Sequence, residues 1–128
     1  MAFIRNASLD ALLADVNDAT RLDICNAEPT TYGQATTKDT YSLGYKTGLT
    51  VGAPGDAGVL GRKVIVPQIA DGTVDCTGTD DATHWALTNG SDTLYATGSL
   101  AASQAVTDGN SFTLAAFDII VPDAVDES

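Results

Sequence analysis

The sequence predicts an all-β protein: a single antiparallel β-sandwich of about seven or eight short strands with one short amino-terminal helix. Three observations predict it. Apolar residues fall in short runs, most with period two. Clusters of Gly, Ser, Thr, Asn and Asp separate the runs. The composition, 44% hydrophobic, 18% charged and only 6% aromatic, is that of a globular chain with an aliphatic core. At 128 residues there is material for one core, so residues 1–128 read as one domain, with a helix or arm over about 1–18 and an acidic tail over about 122–128. A small open barrel is the second reading.

Residues 8–17, SLDALLADVN, carry the helix. Ser8 suits the N-cap, Asp10 sits where the dipole favours it, and Leu9, Leu12, Leu13 and Val16 form one apolar stripe. A helix this short must dock, on its own domain or as a clamp on a neighbouring subunit. TRLDIC, 20–25, alternates as a half-buried strand, and EPTTYGQ, 28–34, reads as a turn-rich connection. Residues 39–51 read as a strand bent at Gly48, with Leu49–Val51 as a second short run. GAPGDAG, 52–58, is a loop; it lacks the Lys-Ser/Thr ending of a phosphate cradle and holds Asp56.

Residues 59–69, VLGRKVIVPQI, form the most apolar strand candidate, with Pro67 marking an edge position or a terminus. Arg62 and Lys63 stand together there, as a solvated edge or as a salt-bridge contact to an acidic neighbouring subunit. A short strand is expected around Val74–Thr77. His84–Leu87 and Leu94–Thr97 bracket NGSD, 89–92, as a hairpin, with Trp85 and Leu87 on one face and Leu94 and Ala96 likewise sharing one. After a turn at 108–110 a strand runs from Ser111 to Val121; its large residues change parity at Ala115–Ala116, which signals a bulge or a change of sheet.

The chemistry-bearing residues are sparse. Seventeen acidic residues face six basic ones, a net charge of −11, which disfavours nucleic acid. No run is long and apolar enough to span a bilayer, and the start does not read as a signal peptide. Cys25 and Cys76 read as reduced thiols, with a disulfide within or between chains as the alternative. His84 is the only histidine; as a general base it would need a hydroxyl and a carboxylate around its ring. Asp71, Asp75, Asp80 and Asp81 do not match the EF-hand pattern and read as solvated turn carboxylates, with an irregular calcium site as the alternative. No catalytic residue, cofactor or metal is expected, and the chain reads as a non-enzymatic binding or scaffolding module.

The stretch T-H-W-A-L-T-N-G-S-D-T-L-Y-A-T-G-S-L followed by Q-A-V-T-D-G-N-S-F-T-L-A-A-F-D-I resembles the small virion-associated proteins of tailed bacteriophages, over about residues 83–120 and more loosely in MAFIRNASLDALLADV. The resemblance implies a β-rich structural subunit present in many copies: a head decoration or cement protein bridging capsid subunits, or a neck or tail accessory. Its partners would be the major capsid protein or other virion subunits, and copies of itself, a trimer by analogy. It would be made in the host cytoplasm and released by lysis. Two readings stand beside it: an adsorption module that meets a host surface through the Asn89–Asp92 tip, and a small hydrolase using His84. The family supplies no catalytic residues to carry over, and the two cysteines are not part of its pattern.

Overall fold

The computed structural model describes residues 16–56 and 62–121. These form nine strands and one short helix: β1 (Arg21–Cys25), α1 (Tyr32–Thr36), β2 (Ser42–Lys46), β3 (Gly55–Asp56), β4 (Arg62–Val66), β5 (Ile69–Val74), β6 (Thr79–Thr88), β7 (Leu94–Thr107), β8 (Ser111–Leu114) and β9 (Phe117–Val121). Every ladder is antiparallel. A six-stranded sheet runs β7-β6-β1-β2-β5-β8, and a three-stranded sheet runs β3-β4-β9.

The larger sheet is curled, and chain connectivity explains why. β7 and β8 lie at its opposite edges, yet only Asp108–Gly109–Asn110 joins them. On a flat sheet five inter-strand gaps would separate those edges by roughly 24 Å. The step from Thr107 to Ser111 reaches at most about 14 Å. The sheet therefore bends into a half-barrel until its edges approach. The turn docks on the end of β5 and the loop after it: Asp108 N–H donates to Gly78 O at 2.9 Å, and Gly109 N–H donates to Val74 O at 3.2 Å.

One core fills the space between the half-barrel and the smaller sheet. Leu22 and Ile24 of β1, Leu43, Val74, Leu87 and Phe112 meet Val64 and Val66 of β4, with Phe117 and Ile119 of β9 packed against them. Val16 is in this core at 7% exposure, so the end of the sequence-predicted helix docks on its own domain; the rest of that helix lies outside the described residues. Phe112 packs against Gly72, and a Cβ on Gly72 would clash with Cε1 and Cζ of the ring.

The opposite face of β1 is also buried. The loop carrying α1 folds over it, and Cys25, Ala35 and Ala86 pack together beneath Tyr41 and Leu94. Asp23, fully buried on this face, receives two bonds from Arg21, at 2.7 and 2.9 Å, and one from the Ser42 hydroxyl at 2.7 Å. Arg21 lies over the Tyr45 ring, 4.6 Å from its centroid. Burial pushes the Asp23 carboxyl above its ordinary value, against the pull of Arg21 and Ser42. The Asp23 bond raises Arg21 further, so the guanidinium stays charged.

Several boundaries differ from the sequence expectation. α1 occupies part of the segment predicted to be only turns: the Thr31 hydroxyl accepts the Gln34 N–H at 3.1 Å, and Gln34 Oε1 accepts the Thr30 N–H at 2.8 Å. The predicted Val74–Thr77 strand is displaced. β5 ends at Val74, and Asp75 and Cys76 both donate their N–H groups to Leu43 O, which turns the chain away. Leu49 and Val51 are buried without forming a strand. β4 stops before Pro67 but is the middle strand of its sheet, not an edge. Leu94 and Ala96 pack into different clusters because the β6–β7 register shifts between Leu87 and Thr88. At Ala115–Ala116 the chain does change sheets, and Ser111–Val121 is two strands.

Three measurements test this account. Arg21→Ala should destabilise by about 3–5 kcal/mol, because it leaves the buried Asp23 charge unpaired. Gly72→Ala should cost about 1–3 kcal/mol by overpacking against Phe112; denaturant titration reads both. Asp39, exposed, accepts from the Thr77 N–H at 2.7 Å and hydroxyl at 2.6 Å, which hold its carboxyl below the ordinary 3.8. Its contribution is full above 3.8 and is lost as pH falls through the lower folded value, whereas Asp23, shifted upward, acts in the opposite sense. Asp39→Asn should therefore flatten the acid-side fall in stability, read as urea midpoints across that range.

Candidate functional site

The two edges of the half-barrel meet at one end and part at the other. Near the turn, Gln104 Nε2 donates to Thr113 O at 3.0 Å and ties β7 to β8. Farther along, β7 bulges: Ala82 pairs with Gln104 and His84 with Ser99, so Leu100–Ser103 stand opposite Thr83 alone. β8 ends at Leu114 and the chain leaves for the smaller sheet. The seam therefore gapes between residues 98–101 and 114–118, leaving an apolar groove of about 440 Å³.

Its floor is the indole of Trp85, with the Phe117 ring tilted against it at 4.7 Å between centroids and 43° between planes. Leu100 and Leu114 wall it, and Ala101, Ala115 and Ala116 keep the mouth wide. Trp85 pairs across the ladder with Gly98, and the missing side chain lets the indole lie over β7; a Cβ there would stand 2.6 Å from Trp85 Cζ2. Polar groups at the groove are few: Ser99 and Asp118, the latter held by Lys63 at 3.2 Å. The groove can take an apolar side chain from another molecule. Burying a Leu- or Phe-sized group there is worth about 1.5–3 kcal/mol.

The residues singled out from sequence fall elsewhere. His84 is on the other face of β6 from Trp85; its Nδ1 is 2.9 Å from the Thr83 hydroxyl, and among the described residues no carboxylate bonds to the ring. Cys25 and Cys76 are both buried free thiols, and no bond joins them within the chain. Burial pushes the Cys25 thiol up to about 12 and raises Cys76, keeping both protonated. Asp71 pairs with Lys46 at 3.0 Å, Asp80 accepts from Asn26 Nδ2 at 3.0 Å, and no metal-ligating group of three or more carboxylate, thiol or imidazole residues converges among the described residues.

Among the residues proposed for subunit contact, Val16 faces the core, Lys63 is engaged with Asp118, and Arg62 is half-buried in β4. Leu9, Leu12 and Leu13 lie outside the described residues. The hairpin tip forms as predicted, with φ 75° at Gly90. Asn89 Oδ1 gathers the N–H groups of Ser91, Asp92 and Thr93 at 2.9–3.0 Å. Those donors are satisfied within the tip itself. No family model, curated protein or solved structure matches this chain.

Gly98→Ala should displace the indole, costing about 1–3 kcal/mol by overpacking. Trp85 is the only tryptophan, so the emission of the folded protein should shift with it. Unchanged emission and stability would contradict the packing of Trp85 against Gly98.

Proposed function

We propose that this chain is a structural subunit that works by burying apolar surface against other proteins, specifically a head decoration protein of a tailed-bacteriophage particle that bridges shell subunits. The observation that carries the docking role is the groove over Trp85 and Phe117: open, apolar, and walled by Leu100 and Leu114. It fits an extended apolar segment, with side chains entering the groove while the segment's backbone follows the adjoining strand. The particle context rests on the resemblance across residues 83–120, the stretch that contributes most of the groove. The occupant is accordingly an apolar segment of the major capsid protein. Each contact is weak, and repetition over a lattice multiplies the grip. The −11 charge keeps decorated particles dispersed.

Purified chain mixed with expanded empty phage heads should co-sediment with them and raise their disruption temperature. Leu100→Asp, which puts a carboxylate in the groove wall, should abolish that effect while leaving the far-ultraviolet circular dichroism unchanged. Retention of full shell binding by this variant would refute the groove as the contact. Binding to host cells in place of shells would favour the adsorption reading.

A further inference from the structure

We infer that the segment immediately ahead of Val16, residues 8–15, covers the groove over Trp85 and Phe117 in the free chain, laying Leu9, Leu12 and Leu13 where the shell segment later enters. The inference rests on the reading of that groove as a docking site and adds its regulation: the chain covers its own contact surface until a shell displaces the cover.

Residues 1–15, 57–61 and 122–128 lie outside the described residues, and the places where they join the fold tell them apart as occupants. Residues 57–61 run between Asp56 and Arg62, which pair with each other, and residues 122–128 leave from Val121, which also pairs with Arg62. The groove lies at the other end of that ladder, where Phe117 pairs with Val66, four residues or about 13 Å away. The tail also carries Asp123, Asp126 and Glu127, which an apolar groove disfavours.

The amino-terminal segment joins the fold close to the groove. Ala19 N–H donates to Val16 O and Thr20 N–H to Thr88 O, both at 3.0 Å, so the chain comes onto the domain at the end of β6. Trp85 is three residues back along that strand, about 10 Å. A helix from Val16 back to Leu9 covers the same distance, about 10 Å. Val16 and Trp85 belong to one buried cluster, and Leu100, Leu114 and Phe117 pack against it. At helical spacing Leu9, Leu12 and Leu13 share the side of Val16, so a helix that buries Val16 turns the whole stripe onto the domain and Asp10 and Asp15 away from it. A track for it exists. Tyr95 and Ala96 of β7 and Ile119 of β9 are half-buried against the same cluster, and β7 and β9 do not pair with each other.

The full chain without phage heads gives the first test. Trp85, the only tryptophan, reports on the groove floor. The double variant Leu12→Asp/Leu13→Asp should shift its emission to longer wavelength and raise its quenching by acrylamide, whereas Asp10→Asn, off the stripe, should leave both unchanged. Unchanged emission and quenching in the double variant would overturn the inference. Asp10→Cys combined with Ala101→Cys, at the groove mouth, should be joined by a short bis-maleimide within one chain, Cys25 and Cys76 being buried. Cross-linked dimers in place of the internal link would put a second copy's segment in the groove and overturn self-coverage. With empty heads, the double variant should bind about tenfold more tightly, because apparent affinity scales with the fraction of molecules whose groove is open. Weaker binding would make the segment a grip on the shell and would also overturn the inference. Heads bound by neither protein, with the emission shift intact, would sink only the decoration role. Heads bound equally by both, with emission unchanged, would sink only the self-cover.

Discussion

The structure depends on a short tether. Asp108–Gly109–Asn110 links two strands that occupy opposite edges of one sheet, and no flat sheet can satisfy it. Bending the sheet brings β7 to β8, turns one face of β1 inward, and makes a cavity that the smaller sheet covers with Val64, Val66, Phe117 and Ile119. The closure is incomplete for a definite reason. β7 continues past the point where β8 ends, and the bulge at Leu100–Ser103 takes up the mismatch. The groove is thus what remains when a nearly closed barrel runs out of one strand.

The convex side of the sheet is stabilised differently. There the aliphatic core gives way to a charge pair under a loop, with Asp23 accepting two bonds from Arg21 and one from Ser42. A buried pair adds less net stability than the same volume of hydrocarbon, but an incomplete one is penalised heavily. Arg21 also reaches Thr36 O at 3.4 Å, so the pair ties β1, β2 and the end of α1 into one arrangement. The half-barrel is held by shape on its inner face and by bonding geometry on its outer one.

Much of the architecture was legible in the sequence. Period-two alternation located β1, β2 and the β6–β7 hairpin, Asn89-Gly90 identified the turn, and the parity break at Ala115–Ala116 marked where the chain changes sheets. α1 was missed although Thr31 and Gln34 stand at capping-box spacing, because five residues offer no apolar stripe. The groove was not legible. Trp85 and Phe117 are far apart in sequence, and only the curl places them in contact. The single histidine drew attention through its rarity, yet it lies across the sheet from the groove. Sequence patterns report which face of a strand is apolar. They do not report which strands are brought edge to edge.

β9 closes the smaller sheet by pairing with β4 along Arg62–Val66, more than fifty positions earlier in the chain; the Lys63–Asp118 pair alone spans 55. Phe117 and Ile119 thus reach the core last during synthesis. Until Val121 has cleared the ribosome, the nascent half-barrel must hold Val64 and Val66 without their lid, and a ribosome stalled just short of that point would display a greasy intermediate suited to chaperone capture.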